Sequence, residues 1–240
     1  MKRLLVPATA TNRIAAFTGV LSVALVLVAP EPNIGAERPS AEQVKQFYLE
    51  NQQSFRASLL LVGLAYAFFL CFLALLRSEL RRAEGASGTL SSLAMGSGLL
   101  LAGFYVLGNA LHVVPAVVSA DTDPAQAETW RVFGEEAYDT LVEASTFWVG
   151  VMMAAVSLIV LRQGGLPRWL GWIAAVIGAA ALIGPIGFVD SPVEPVMEAL
   201  GFGSKIAFHF WILLASIALT VRVGRSSASR PISREIESAG

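Results

Sequence analysis

Five polar side chains stand at the meeting ends of otherwise apolar stretches: Asn109 and His112, then Asp139 and Glu143, and finally His209. Asn109 and His112 are three residues apart and Asp139 and Glu143 four apart, so each pair shares one face of a helix. Three kinds of chemistry fit them. The plainest is a hydrogen-bonded polar cluster that fixes helix register, with His112 satisfied by Asp139 or Glu143. A second is a small-ligand, proton or cation site, including a divalent metal held by His112, His209 and Glu143, because two imidazoles and a carboxylate suit a zinc shell. No HxxxH or HExxH spacing supports that shell locally. A third is a b-type haem ligated between the two histidines.

The elements that must position these residues are membrane spans. The chain has 240 residues, of which 55% are hydrophobic and 15% charged, and its mean hydropathy of +0.64 lies outside the usual soluble range. The pattern predicts an all-α polytopic membrane domain over 1–225 with six transmembrane helices near 12–29, 57–76, 90–118, 138–161, 167–189 and 205–223. Residues 226–240 are expected to form a disordered cytoplasmic tail. The first apolar run ends Val28-Ala29-Pro30, a poor cleavage site, and so reads as an uncleaved helix rather than a signal peptide.

Between spans one and two, Ser40-Ala41-Glu42-Gln43 is a capping box, and Val44, Phe47 and Tyr48 follow at helical spacing. This predicts a short amphipathic external helix lying on the membrane or folded over the bundle. Asp123-Pro124 reads as an N-cap with proline at the first helical position, opening a lead-in helix that Gly134 is expected to break from span four. Gly164-Gly165-Leu166-Pro167 ends one helix and opens the next. Close-packing faces are expected at Ser92/Gly96 and Ala94/Gly98, and along Gly171, Ala175 and Ala179. Pro115 cannot donate to the carbonyl of Leu111, which leaves an acceptor one residue before His112.

Charge sets the orientation. Lys2, Arg3 and Arg13 precede span one, Arg77, Arg81 and Arg82 follow span two, Arg162 and Arg168 lie between four and five, and Arg222, Arg225, Arg230 and Arg234 follow six. Together they are 12 of 17 basic residues on one side of the membrane, whereas 14 of 18 acidic residues fall on the other. By the positive-inside rule both termini are cytoplasmic and the polar cluster faces outward. His112 then lies roughly 9 Å inside the outer end of span three at 1.5 Å per residue, and Glu143 and His209 lie at similar depth. Ionisable groups within a span face the bundle or a wet cavity.

Several classes are excluded. Cys71 is the single cysteine and has no partner for a disulfide or a Cys-based metal site. No phosphate loop or nucleophile elbow is present, and no basic domain suits nucleic acid. The implied partners are the lipid bilayer and, through the small-residue faces, a second copy or an unidentified subunit of a membrane complex.

The run from Ala41 to Asn51, the arginines with Glu84 after span two, and the restart Gly165-Leu166-Pro167-Arg168-Trp169-Leu170-Gly171-Trp172 together resemble a bacterial family of small multi-pass membrane proteins, the DUF4386-like domain of unknown function. The resemblance covers the chain from the first span to the sixth. It implies a helical bundle in the bacterial inner membrane and carries over no activity and no catalytic residue. The reading is therefore a membrane bundle with an external polar pocket, structural or ligand-binding rather than enzymatic. The alternative is a metal-dependent or proton- or cation-coupled enzyme or transporter using His112, Glu143 and His209.

Overall fold

The computed structural model describes residues 8–35, 39–185 and 194–228. They form six helices: α1 (Ala8–Val28), α2 (Ala41–Glu84), α3 (Thr89–Val118), α4 (Pro124–Gln163), α5 (Arg168–Ile183) and α6 (Glu194–Ala228). There is no strand among the described residues. Helices α2, α3 and α4, and Pro195–Val221 within α6, are long and apolar enough to cross a membrane, whereas the apolar lengths Phe17–Val28 and Arg168–Ile183 are shorter. Residues 229–240, most of the expected tail, lie outside the described residues, as does the end of the fifth expected span beyond Pro185.

The capping box is formed as the sequence predicts. The Gln43 amide donates to Ser40 Oγ at 3.3 Å, and the Ser40 amide to Gln43 Oε1 at 2.8 Å. The helix it opens is not a separate amphipathic one, which corrects the sequence reading: α2 runs unbroken from Ala41 to Glu84. Its apolar stripe has a protein partner, because Val44, Tyr48 and Phe55 are buried with Val113 and Ala116 of α3. Lys45 Nζ adds a bond to the Thr122 carbonyl at 2.6 Å. The charge-free stretch of α2 begins at Ala57, so about 24 Å of helix precedes it at 1.5 Å per residue.

Helix α4 has the same form. Asp123 caps it by accepting from the Gln126 amide at 2.8 Å, Pro124 is its first residue, and it continues for 40 residues through Gly134. Gly134 is therefore not a break. A Cβ there would lie 2.9 Å from Pro115 Cγ and 3.2 Å from the Leu111 carbonyl oxygen. The glycine lets α4 pass directly over the α3 backbone where Pro115 withholds its hydrogen bond.

A second correction concerns α5. Its buried face is Gly171, Ala174, Gly178 and Ala181, with Ala175 half-buried and Ala179 exposed. Strict four-residue steps advance about 400° around a helix of 3.6 residues per turn, so a stripe at that spacing leaves the contact within two steps. At Gly178 a Cβ would sit 3.1 Å from the Ala154 amide nitrogen of α4. On α3, Gly98 is pressed against Leu73 while Gly96 faces open space, so of the two expected faces there only Ala94/Gly98 packs inside the chain. Trp211 of α6 is fully buried and donates to the Leu170 carbonyl at 3.0 Å, tying α6 to α5.

The α2–α3 turn is closed by a carboxylate. Gly88, the N-cap of α3, has no side chain to offer, and Glu84 supplies the acceptor. Its Oε1 takes the Leu90 amide at 2.8 Å and the Ser87 hydroxyl at 3.0 Å, and its Oε2 takes the Ser91 amide at 2.9 Å. Desolvation opposes ionisation here, but these bonds win and hold the carboxyl down at about 2 from an ordinary 4.5. A lowered folded-state pKa gives stability that is fully present above pH 4.5 and is lost as pH falls through about 2. Glu84→Ala is expected to lower stability by about 1 kcal/mol at neutral pH, as for loss of a helix cap. Thermal melts followed by circular dichroism should show the gap to wild type closing in that acid window; a gap that does not change with pH would remove this role.

Candidate functional site

The five polar residues singled out in the sequence divide into two groups. Asn109, His112 and Asp139 line one cavity at the end of the bundle that carries the first turns of α2 and α4. Glu143 and His209 do not line it. Glu143 instead forms an ion pair with Lys205 of α6, and His209 Nδ1 lies 2.8 Å from the Lys205 carbonyl oxygen. Among the described residues no three His, Cys, Asp or Glu side chains are grouped to hold a metal ion. The expected shell of His112, Glu143 and His209 is thus not gathered, because Lys205 engages Glu143 and His209 bonds back to its own helix. The two histidines have different ring neighbours, His112 packing on Phe55 and Tyr138 and His209 on Phe208. Helix α3 packs on α2 and α4, whereas α6 packs chiefly on α1 and α5.

The cavity has a volume of about 450 Å³. Helix α2 contributes Phe47, Tyr48, Phe55, Ser58, Val62 and Tyr66, a stripe at helical spacing. Helix α3 contributes Tyr105, Asn109, His112 and Val113, again one face, and α4 contributes Arg131, Glu135, Tyr138 and Asp139. The segment after α1, from Ala29 to Ile34, crosses the mouth and brings Glu31. All four tyrosines of the chain are in this lining.

The aromatic rings are organised. His112 stacks on Tyr138 with centroids 4.9 Å apart and meets the edge of Phe55 at 5.5 Å. Deeper along α3, Tyr105 stacks on Tyr66 at 5.2 Å. Asn109, 8% exposed, donates through Nδ2 to the Tyr105 carbonyl at 3.0 Å. His112 therefore takes its place from ring packing rather than from the carboxylate bond the sequence suggested. The hydroxyls of Tyr48, Tyr66 and Tyr138 take part in none of the hydrogen bonds among the described residues.

Among the described residues Arg131 is the only Lys or Arg in the lining, and it is already engaged. It donates to Glu128 at 2.7 and 3.0 Å and to Glu135 as well. Hydrogen bonding from Arg131 lowers the Glu128 carboxyl below its ordinary range, while burial raises that of Glu135 although Arg131 pulls it down. Sequence reasoning did not place Arg131, Glu135, Lys205 or the tyrosines at the site, and took Tyr48 only as part of an apolar stripe. A local signal existed for Tyr105, which precedes Asn109 by four residues and His112 by seven, on the same helix face.

Fold and cavity together define a helical membrane protein with an aromatic, acid-lined chamber at one end of its bundle. The chain belongs to the family described as Domain of unknown function (DUF4386), which matches residues 14–215. No curated protein and no solved structure matches it.

Proposed function

We propose that this protein is a six-pass bundle of the bacterial cell membrane, with both termini cytoplasmic, and that the chamber is an external pocket for a small ligand. The cavity carries the reading: about 450 Å³ walled by aromatic rings with a few polar groups is the size and character of a small-molecule site. The charge distribution supports the orientation. The arginines after α2 and around the α4–α5 turn lie at one end of the bundle, and the chamber lies at the other, beside the acidic first turns of α4. Helix α1, at 21 residues, has the length of a span, whereas α5, at 16 residues, is shorter than the ~20 a span needs, and it crosses here by local thinning of the bilayer and by packing against its longer neighbours.

One experiment tests pocket and orientation together. Asn33 lines the chamber from the segment over its mouth. In an Asn33→Cys, Cys71→Ser protein, a membrane-impermeant maleimide is expected to label intact spheroplasts from outside. Before labelling, at least one class in a panel of neutral, anionic and cationic small molecules should raise the melting temperature of the purified protein. After labelling that rise should vanish. Labelling only after lysis would reverse the orientation, and a panel without any stabilising class would remove the ligand reading.

A further inference from the structure

We propose that the chamber takes an organic ammonium ion carrying an apolar or aromatic body. This rests on the ligand-pocket reading above and names its chemistry. Two independent features of the lining point the same way. The first is charge: among the described lining residues, Glu31, Glu135 and Asp139 face a single guanidinium, Arg131, which is itself held by Glu128 as well as Glu135. Neither Glu31 nor Asp139 has an ion pair among the described residues. Among the described residues, the chamber therefore has anionic charge at its mouth that no ion pair neutralises, and no free cation to receive an anionic ligand.

The second feature is the wall. The concentration of all four tyrosines in one cavity is more than packing requires, since leucine or valine would fill a bundle equally well and leave no hydroxyl without a partner. Tyrosine faces attract a cation through the ring quadrupole, most strongly where water is excluded. The order of groups along the chamber then orients the guest. Asp139 and Glu31 are exposed at the mouth with Tyr138 beside them, while Tyr66 is buried at the deep end, where it stacks on Tyr105. An ammonium head sits between Tyr138, Asp139 and Glu31, and the apolar body extends down the α2 stripe past Phe55 and Val62 toward the Tyr66–Tyr105 pair.

The test compares three benzyl probes by isothermal calorimetry on the purified full chain: benzyltrimethylammonium, its neutral carbon isostere neopentylbenzene, and the smaller anion phenylacetate. The ammonium is expected to bind about tenfold or more tightly than either other probe, in line with cation–π and carboxylate contacts that a neutral body cannot make. Asp139→Asn should weaken the ammonium alone by about tenfold. Because Asp139 is exposed, its melting temperature should not move. Tyr138→Leu provides a second variant that removes a ring while keeping an apolar side chain. Equal or tighter binding of neopentylbenzene or phenylacetate would overturn the ammonium assignment while leaving a ligand pocket in place. Binding of none of the three would also overturn it, and the wider panel above then decides the pocket itself. Adding phosphatidylcholine or phosphatidylglycerol to the micelles separates two sources of the same chemistry. A lipid headgroup as natural guest predicts displacement of the probe by the choline lipid only, and a free amine predicts displacement by neither; displacement by both lipids alike would count against ammonium recognition.

Discussion

Glu143→Leu is expected to destabilise the protein by about 3 kcal/mol, the low end of the range for breaking a buried ion pair. The mechanism is the charge left behind. Lys205 keeps only 11% of its side chain exposed, against 35% for Glu143, so removing the carboxylate strands the more deeply buried partner. Lys205→Met should cost less, because the remaining carboxylate reaches water. The double replacement, Glu143→Leu with Lys205→Met, should recover most of the loss, since it removes both desolvation costs and leaves well-packed apolar groups. Unfolding in mixed micelles across this double-mutant cycle measures the coupling directly. If the two single losses simply added in the double variant, the pair would have no energetic coupling and Glu143 would need another explanation.

That ion pair also marks where the sequence stops being legible. Rules that act within one turn of helix were readable: the Ser40–Gln43 box, the Asp123 cap with Pro124, and the glycine stop at Gly164 all appear in the structure. A carboxylate and an ammonium separated by 62 residues have no such local rule. The Val44–Tyr48 stripe announced a helix with one apolar face but could not say what covers that face. Of the two covers expected, the membrane surface or the bundle, the structure has the bundle, with α3 over the stripe, and the expected separate helix is the first part of α2. Gly134 and Pro115 each read as a helix breaker alone, and they are tolerated because they meet, the missing side chain of one admitting the ring of the other. Asn109, His112 and Asp139, which line the cavity, stood out in the sequence because polar groups in apolar runs are conspicuous. The tyrosines did not: Tyr48 stood out only as part of the apolar stripe, and nothing local links it to Tyr66, Tyr105 and Tyr138 until the fold brings the four into one chamber.

Gly184 and Gly201 give the sharpest contrast between two residues of one type. They face each other where the end of α5 meets α6, and a Cβ on Gly184 would lie 2.7 Å from both the Cα and the amide nitrogen of Gly201. That neighbour is backbone and cannot swing aside as a side-chain tip would. Gly184 itself has ordinary helical angles, φ −49° and ψ −46°, so the contact alone demands glycine there. Gly184→Ala is therefore expected to cost about 2 kcal/mol, as for overpacking in a filled interior, by moving α6 away from α5. The movement would also draw Lys205, four residues along α6, away from Glu143. A Cβ on Gly201 points differently: its nearest neighbour would be Glu143 Oε2 at 3.7 Å, with the Gly184 Cα at 3.9 Å, both ordinary contacts. Gly201→Ala should accordingly be neutral or stabilising by up to about 1 kcal/mol, because alanine is the better helix former. Melting temperatures of the two variants in one detergent decide the matter. Equal losses would mean that α5 and α6 do not cross as described, whereas a loss confined to Gly184→Ala would place the backbone contact, and with it the α6 face that presents Lys205 to Glu143.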